Sequence, residues 1–224
     1  MFECLKSAIV LMITAWIFIL PSGLNANELF FSEYIEGTAY NKALEIYNPT
    51  VDFIDLEVDD YSIGFYYNGN ITPSDIFKLT GILSPDNTYN IANPAAGPVI
   101  TDVADILFSN MNFNGNDAIM LFKGDNIIDS IGRIGEDPGA EWGSGLFSTQ
   151  DNTLRRRHEI ITGDLNPYDV FDPSIEWEGF SLNTFDGLGS HQMSAPVPEP
   201  ATVLLLGNGF IALAGFRKKR AAKK

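Results

Sequence analysis

An all-β, antiparallel sandwich is the fold predicted by the sequence, and three observations predict it. Between residues 27 and 193 the chain runs in short, often alternating stretches of apolar and polar residues, not in helical repeats. Strong turn signals separate them: Asn48-Pro49, Asn68-Gly69, Asn93-Pro94 and Gly124-Asp125. With 16 Phe and 8 Tyr in the chain, this acidic body carries too much aromatic surface to stay unfolded. Its length, about 170 residues, suits one domain with a real core and hardly two.

The elements follow in order. Glu28–Glu36 alternates Leu29, Phe31, Glu33 and Ile35 against Phe30, Ser32 and Tyr34, which reads as a strand with both faces partly covered. Lys42–Tyr47 is a second strand, and Tyr61–Tyr67, Ile76–Leu79 and Thr88–Ala92 follow. Ala118–Phe122 and Asn126–Ile131 flank Gly124-Asp125 as a hairpin. Thr101–Phe108 is the one short helix expected, with Thr101 as its N-cap. Asn114-Gly115 is a further hairpin signal.

Charge excludes one class of function. Over the whole chain 14 basic residues face 29 acidic ones, a net of −15. Residues 1–26 carry Glu3 and Lys6, which cancel, and residues 201–224 carry six cations and no acid, so residues 27–200 hold −21. Such a surface repels phosphate backbones, and no nucleic-acid partner is expected. The single cysteine, Cys4, lies outside the body, which removes disulfides, thiolate metal sites and cysteine nucleophiles from it.

Both ends address a membrane. Ala8–Leu20 is an uncharged, mostly apolar run, Pro21 and Gly23 break it, and Ala26 offers a small residue for cleavage. Residues 1–26 therefore read as a signal peptide cut by signal peptidase after Ala26; an uncleaved anchor is the alternative. At the other end, the Pro-rich stretch 194–200 leads into Ala201–Phe216 and then RKKR at 217–220. Sixteen residues give about 24 Å of helix, enough to span with basic side chains snorkelling, and the cationic 217–224 tail stays cytoplasmic. A packed core helix is the alternative for 201–216, and six cations in the last eight positions argue against it.

Val197-Pro198-Glu199-Pro200, the short apolar span and the terminal basic cluster together resemble the PEP-CTERM sorting signal of Gram-negative bacteria. The resemblance implies recognition and cleavage by an exosortase, with the protein first tethered to the inner membrane and then delivered to the cell surface or extracellular matrix. Asn208 within the span and the AAKK after the basic cluster depart from the pattern.

The body resembles the lamin-tail domain of the bacterial type often appended to secreted nucleases. The residues that carry the resemblance are FSEYIEG (31–37), NKALEIYN (41–48), NFNGNDAIMLF (112–122), IDSIGRIGEDPG (128–139) with Trp142, TLRR (153–156) and TFDGLGSH (184–191). It implies an immunoglobulin-like β-sandwich over residues 27–193 and a binding or adaptor role without catalysis.

Several residues invite chemistry of their own. Glu33, Glu36 and Glu45 could serve as paired carboxylates, although ion pairing of Glu33 or Glu45 with Arg133 or Lys42 accounts for them as well. Arg155, Arg156 and Arg157 alternate faces on a strand and are expected to bridge surrounding acids. His158 and His191 stand 33 residues apart with no nucleophile-elbow pattern, so His191 is expected only to cap the last strand. Trp142, Trp177, Phe180 and Phe185 could stack on sugars, and core or edge sealing is the plainer expectation.

Oxygen-rich loops offer the one cofactor considered, calcium, with Asp55, Asp59, Asp60, Asn116 and Asp117 as its ligands. The expected function is thus display: an exported, exosortase-processed, non-enzymatic binding or scaffolding protein, whose partners are extracellular polysaccharide or envelope proteins. A calcium-dependent adhesion or carbohydrate-binding module is one alternative, and an accessory protein related to hydrolases or nucleases is the other.

Overall fold

The computed structural model describes residues 28–194, and the expected signal peptide, the Pro-Glu-Pro motif and the C-terminal apolar span all lie outside them. Among the described residues no helix is long and apolar enough to cross a membrane. What they form is almost entirely strand.

One sheet holds six strands. In spatial order they are β14 (Trp177–Ser181), β13 (Asn152–Arg156), β1 (Phe30–Glu36), β2 (Lys42–Tyr47), β7 (Thr88–Ala92) and β8 (Ile106–Leu107), antiparallel except for the last pair. A second, antiparallel sheet has the order β10 (Asn126–Ile131), β9 (Ala118–Lys123), β4 (Tyr61–Tyr66) and β5 (Asp75–Lys78). Two small ribbons, β3 (Ile54–Asp55) with β6 (Ile82–Leu83) and β11 (Gly143–Ser144) with β12 (Phe147–Ser148), complete it. Phe31, Tyr34, Leu44, Ile46, Ile91 and Leu154 from the first sheet share one core with Ile63, Phe65, Ile119 and Leu121 from the second.

The strand expectations hold with shifts of a residue or so at their ends, but β1 departs in its facing. A bulge between Phe31 and Glu33 sets an extra residue against β2, which flips the alternation beyond it. Leu29, Phe31 and Tyr34 therefore reach the core, while Phe30, Glu33 and Ile35 share the outer face. The bulge thus brings Glu33 opposite Glu45 on a covered face.

The helix expected over Thr101–Phe108 is not there. A single turn, α1, occupies Pro98–Thr101, begun by Pro98, whose fixed φ suits a first helical position. Thr101 ends this turn instead of capping a helix. Asp105 then diverts the chain: its carboxylate accepts the Asn90 N–H at 2.7 Å, its own N–H donates to the Asn90 carbonyl, and β8 follows. A second one-turn helix, α2 (Pro173–Glu176), is capped by Asp172, which accepts from the Ser174 N–H at 2.9 Å. Nor is Asn114-Gly115 a hairpin. It lies in the loop between the sheets, where the Asp117 carboxylate accepts the Asn114 N–H, and Gly115, at φ +106°, backs onto Gln150.

Candidate functional site

After β14 the chain turns back and runs across the outer face of the six-stranded sheet as a strap, residues 182–194. Asn183, in the left-handed region at φ +62°, accepts the Thr38 N–H beside the β1–β2 turn. Phe185 and Leu188 then pack on Ile35, Ala43, Ala92 and Ile100 in a small apolar cluster separate from the main core. Thr153 donates its hydroxyl to the Thr184 carbonyl at 2.8 Å. The TFDGLGSH stretch is this strap.

Beneath it lies a row of charge. Glu33 and Glu45 face each other across β1 and β2, and Arg155 stands beside Glu33 on β13. Arg155 Nε is 3.2 Å from Glu33 Oε2, its Nη2 donates to Asp186 at 2.5 Å, and its guanidinium lies 4.2 Å over the Phe180 ring. Glu45 accepts from the Ser32 hydroxyl at 2.6 Å and from the Gly189 N–H of the strap at 2.6 Å. The strap crosses so close that a side-chain carbon on Gly187 would fall 2.6 Å from Glu33 Oε2, and nearer still to the Arg155 guanidinium.

The balance here is incomplete. Glu33, only 1% exposed, has one carboxyl oxygen without a hydrogen-bond partner among the described residues, and Arg155 Nε is likewise unaligned for a hydrogen bond. Burial is the main cause that pushes the Glu33 carboxyl up to about 8, with the Glu45 charge adding to it and Arg155 opposing. Burial also raises Glu45, against its bonds to Ser32 and the strap.

At its far end the strap seats His191 against Phe30 and Tyr47 and stacks it on His158, with ring centroids 5.8 Å apart. His191 Nε2 has no partner among the described residues, and burial first, then the neighbouring His158 and Arg156, lowers this imidazole to about 4. The Ser194 N–H donates to the His158 carbonyl at 2.7 Å, so the described chain ends pinned here.

Two hollows adjoin this end and share Ser190 and His191. One, about 120 Å³, is lined by Glu33, Glu45, Arg155, His158 and Phe180 among others; the other, about 470 Å³, by Tyr47, Asp86, Asn87, Thr88 and Gln192.

The expected site residues are placed as follows. Glu36 is separate from the Glu33–Glu45 pair: it bonds Lys42 at the strand end and accepts the Asp151 N–H. Arg133 pairs with Glu136, so neither Glu33 nor Glu45 takes the partner anticipated for it. Asp186 holds Arg155, and His191 meets aromatic rings instead of a carboxylate. Arg155 and Arg156 do bridge acids, while Arg157 donates to the carbonyls of Trp177 and Ser174. Trp142 and Trp177 are buried, and Phe180 and Phe185 are partly covered.

The calcium residues fall into two sets. Asp55 caps its own turn through the Val58 N–H, Asp59 follows in that turn, and Asp60 pairs with Lys78 at 2.5 Å, all at the start of β4. Asn116 and Asp117 lie by its other end, where Asp117 accepts the Asn68 and Asn114 N–H groups and Asn116 donates to Asp137 at 3.0 Å. Six residues of strand separate the sets by roughly 20 Å. Among the described residues no three of His, Cys, Asp or Glu converge as a metal ion would need.

Sequence reasoning missed the meeting of His158 with His191 and the role of the strap. The glycines at 187 and 189, two apart, were the available signal, since such spacing marks a close backbone approach.

The chain matches no curated protein. Among solved structures it is similar to the crystal structure of a DUF4876 family protein from Bacteroides thetaiotaomicron, at 12% identity over 75% of each chain with a TM-score of 0.50, a likeness of fold alone. Residues 196–220 match the family model for the PEP-CTERM protein-sorting motif, and they include Val197, Pro198, Glu199 and Pro200. That motif marks an exported, membrane-sorted surface protein that is processed by an exosortase.

Proposed function

We propose that this protein is displayed at the cell surface or in the extracellular matrix as a non-catalytic binding or scaffolding module, its body a lamin-tail-like, immunoglobulin-like sandwich. The observation that carries the reading is contiguity. The strap is pinned to the body as far as Ser194, and the sorting motif begins at residue 196, so a single residue of sequence separates the charged, strap-covered end from the signal. Processing near Pro198–Pro200 then leaves the strap attached to the mature protein. A role without turnover is supported by two of the three carboxylates, since Glu36 is engaged by Lys42 and Glu45 by Ser32 and the strap.

The test is expression of the full chain in an exosortase-competent Gram-negative host, followed by mass spectrometry of the surface and released material. The expected C-terminal peptide ends close to Pro198–Pro200, and replacing Pro198-Glu199-Pro200 with alanines retains the protein in the membrane. Released protein that still carries the RKKR peptide overturns the reading.

A further inference from the structure

The walls of the paired hollows beside the strap carry unusual polar atoms. Three residues lining the smaller one each hold a buried polar atom without a partner among the described residues: Glu33 Oε1, Arg155 Nε and His191 Nε2. A buried polar atom left unbonded costs about 1–3 kcal/mol, so three around one space call for an occupant.

The chemistry of that occupant can be narrowed by what each atom requires. A carboxylate or phosphate could accept from Arg155, but it would meet Glu33, Glu45 and Glu178 here and Asp86 in the larger hollow, on a body of net −21. An ammonium group could donate to Glu33 but has nothing to offer Arg155 Nε, itself a donor, and it would meet the Arg155 and Arg156 guanidinium groups that line the same space. A hydroxyl both donates and accepts, so a ligand bearing several can satisfy Glu33, Arg155 and His191 in turn, which neither ion can. The larger hollow repeats this character with the side chains of Asp86, Asn87, Thr88 and Gln192, and its 470 Å³ lies within the range of ligand pockets. Because the two spaces share Ser190 and His191, an occupant longer than one ring can lie in both.

We propose that the two hollows form one binding cleft for a neutral, hydroxyl-rich saccharide, with a sugar hydroxyl bridging Glu33 and Arg155 in the deeper part. The inference rests on the reading of the chain as a displayed binding protein, and it names the class of partner. The raised Glu33 carboxyl supports it, since a carboxyl that keeps its proton can itself donate to a sugar oxygen.

The test uses the mature protein released from the exosortase-competent host and isothermal titration with neutral hexasaccharides of glucose, mannose and N-acetylglucosamine, with oligogalacturonate as the anionic control. At least one neutral hexasaccharide binds, the control does not, and both Glu33→Gln and Gln192→Ala weaken binding tenfold or more. Gln192 is exposed and its side chain is outside the core, so that variant folds even if Glu33→Gln does not. Failure of every neutral hexasaccharide overturns the inference, as does binding of the anionic control in their place. So does binding that neither variant weakens, which leaves a displayed binding protein with its site elsewhere. Protein that is never processed or displayed removes the underlying reading as well.

Discussion

Arg155 and Arg156 are neighbours on β13, yet they sit in opposite environments. Arg156 points between the sheets and is fully satisfied. Its Nε donates to the Phe31 carbonyl at 3.0 Å, its Nη2 to Asp129 at 2.5 Å, and its Nη1 to Glu176, with Trp177 4.2 Å from the guanidinium. Asp129, reaching across from β10, also accepts the N–H groups of Phe31, Ser130 and Asp164. Together they take over the backbone partners that Phe31 lacks beyond the last β1–β13 pair, and they tie the two sheets without a disulfide. Arg155, on the outer face, leaves its Nε and a Glu33 oxygen unbonded beneath the strap. A closed buried network fixes geometry, whereas an open one leaves polar atoms available to a ligand or a proton.

The closed network is the more costly to break. Asp129→Ala leaves the Arg156 guanidinium buried and short of its main counter-ion, and a loss of about 3–5 kcal/mol in urea unfolding is expected. The double replacement Asp129→Leu with Arg156→Met removes both charges and should cost clearly less than Asp129→Ala alone. If the single and double variants unfold alike, the loss comes from the Phe31, Ser130 and Asp164 N–H groups that Asp129 accepts and not from its charge pairing with Arg156.

The open network should yield locally. Gly187→Val places a side chain against Arg155 and Glu33, and overpacking of that kind typically costs about 1–3 kcal/mol. The strap can lift while the sheets stay paired, so hydrogen exchange should accelerate across residues 184–191 and remain slow in β1, β2 and β13. Uniform acceleration would mean that the strap is part of the global fold.

Proton linkage acts within the open network, where Glu33 and His191 both lie. Burial pushes the folded Glu33 carboxyl up to about 8 from an ordinary 4.5, so the folded state binds the extra proton between those values. Its contribution is complete below pH 4.5 and is lost as pH rises to 8. His191 runs the other way: lowered to about 4 from 6.5, its contribution is complete above 6.5 and is lost as pH falls towards 4. Between pH 6.5 and 8 only the Glu33 effect operates among these two, so strap protection in hydrogen exchange should fall across that interval. Glu33→Gln should flatten the decline, and a decline unchanged in that variant places its origin elsewhere.

Much of this was legible in the chain, and the gaps have physical causes. Residues 42–47, 88–92 and 126–131 read correctly as strands because a turn signal or a change of pattern bounds each one. The register of β1 did not, since a bulge at Ser32 depends on where β2 and Asp129 hold the backbone and leaves no mark on local alternation. Asp105 looked like part of a helix from Thr101 because its bond to Asn90 is long-range. The charged row was half visible: Glu33, Glu45 and the arginines stood out as residue types. That the strap would bring Asp186, Gly189 and His191 onto them is a tertiary fact, hinted at only by paired glycines.

The smallest expected effect completes the contrast. Asp60 and Lys78 also form an ion pair at 2.5 Å, a separation equal to that of Asp129 and Arg156, but both side chains are more than half exposed. Solvent screens such a pair, and holding two long side chains in place offsets the attraction, so Lys78→Ala should change stability by no more than about 0.5 kcal/mol. The measurement is urea unfolding in low and high salt, where the small difference should shrink further with salt. Equal separation with unequal burial and unequal bonding thus takes ion-pair distance out of the comparison: a loss at Lys78 comparable to that at Asp129 would show that distance, not the closure of a buried network, sets the stability of this fold.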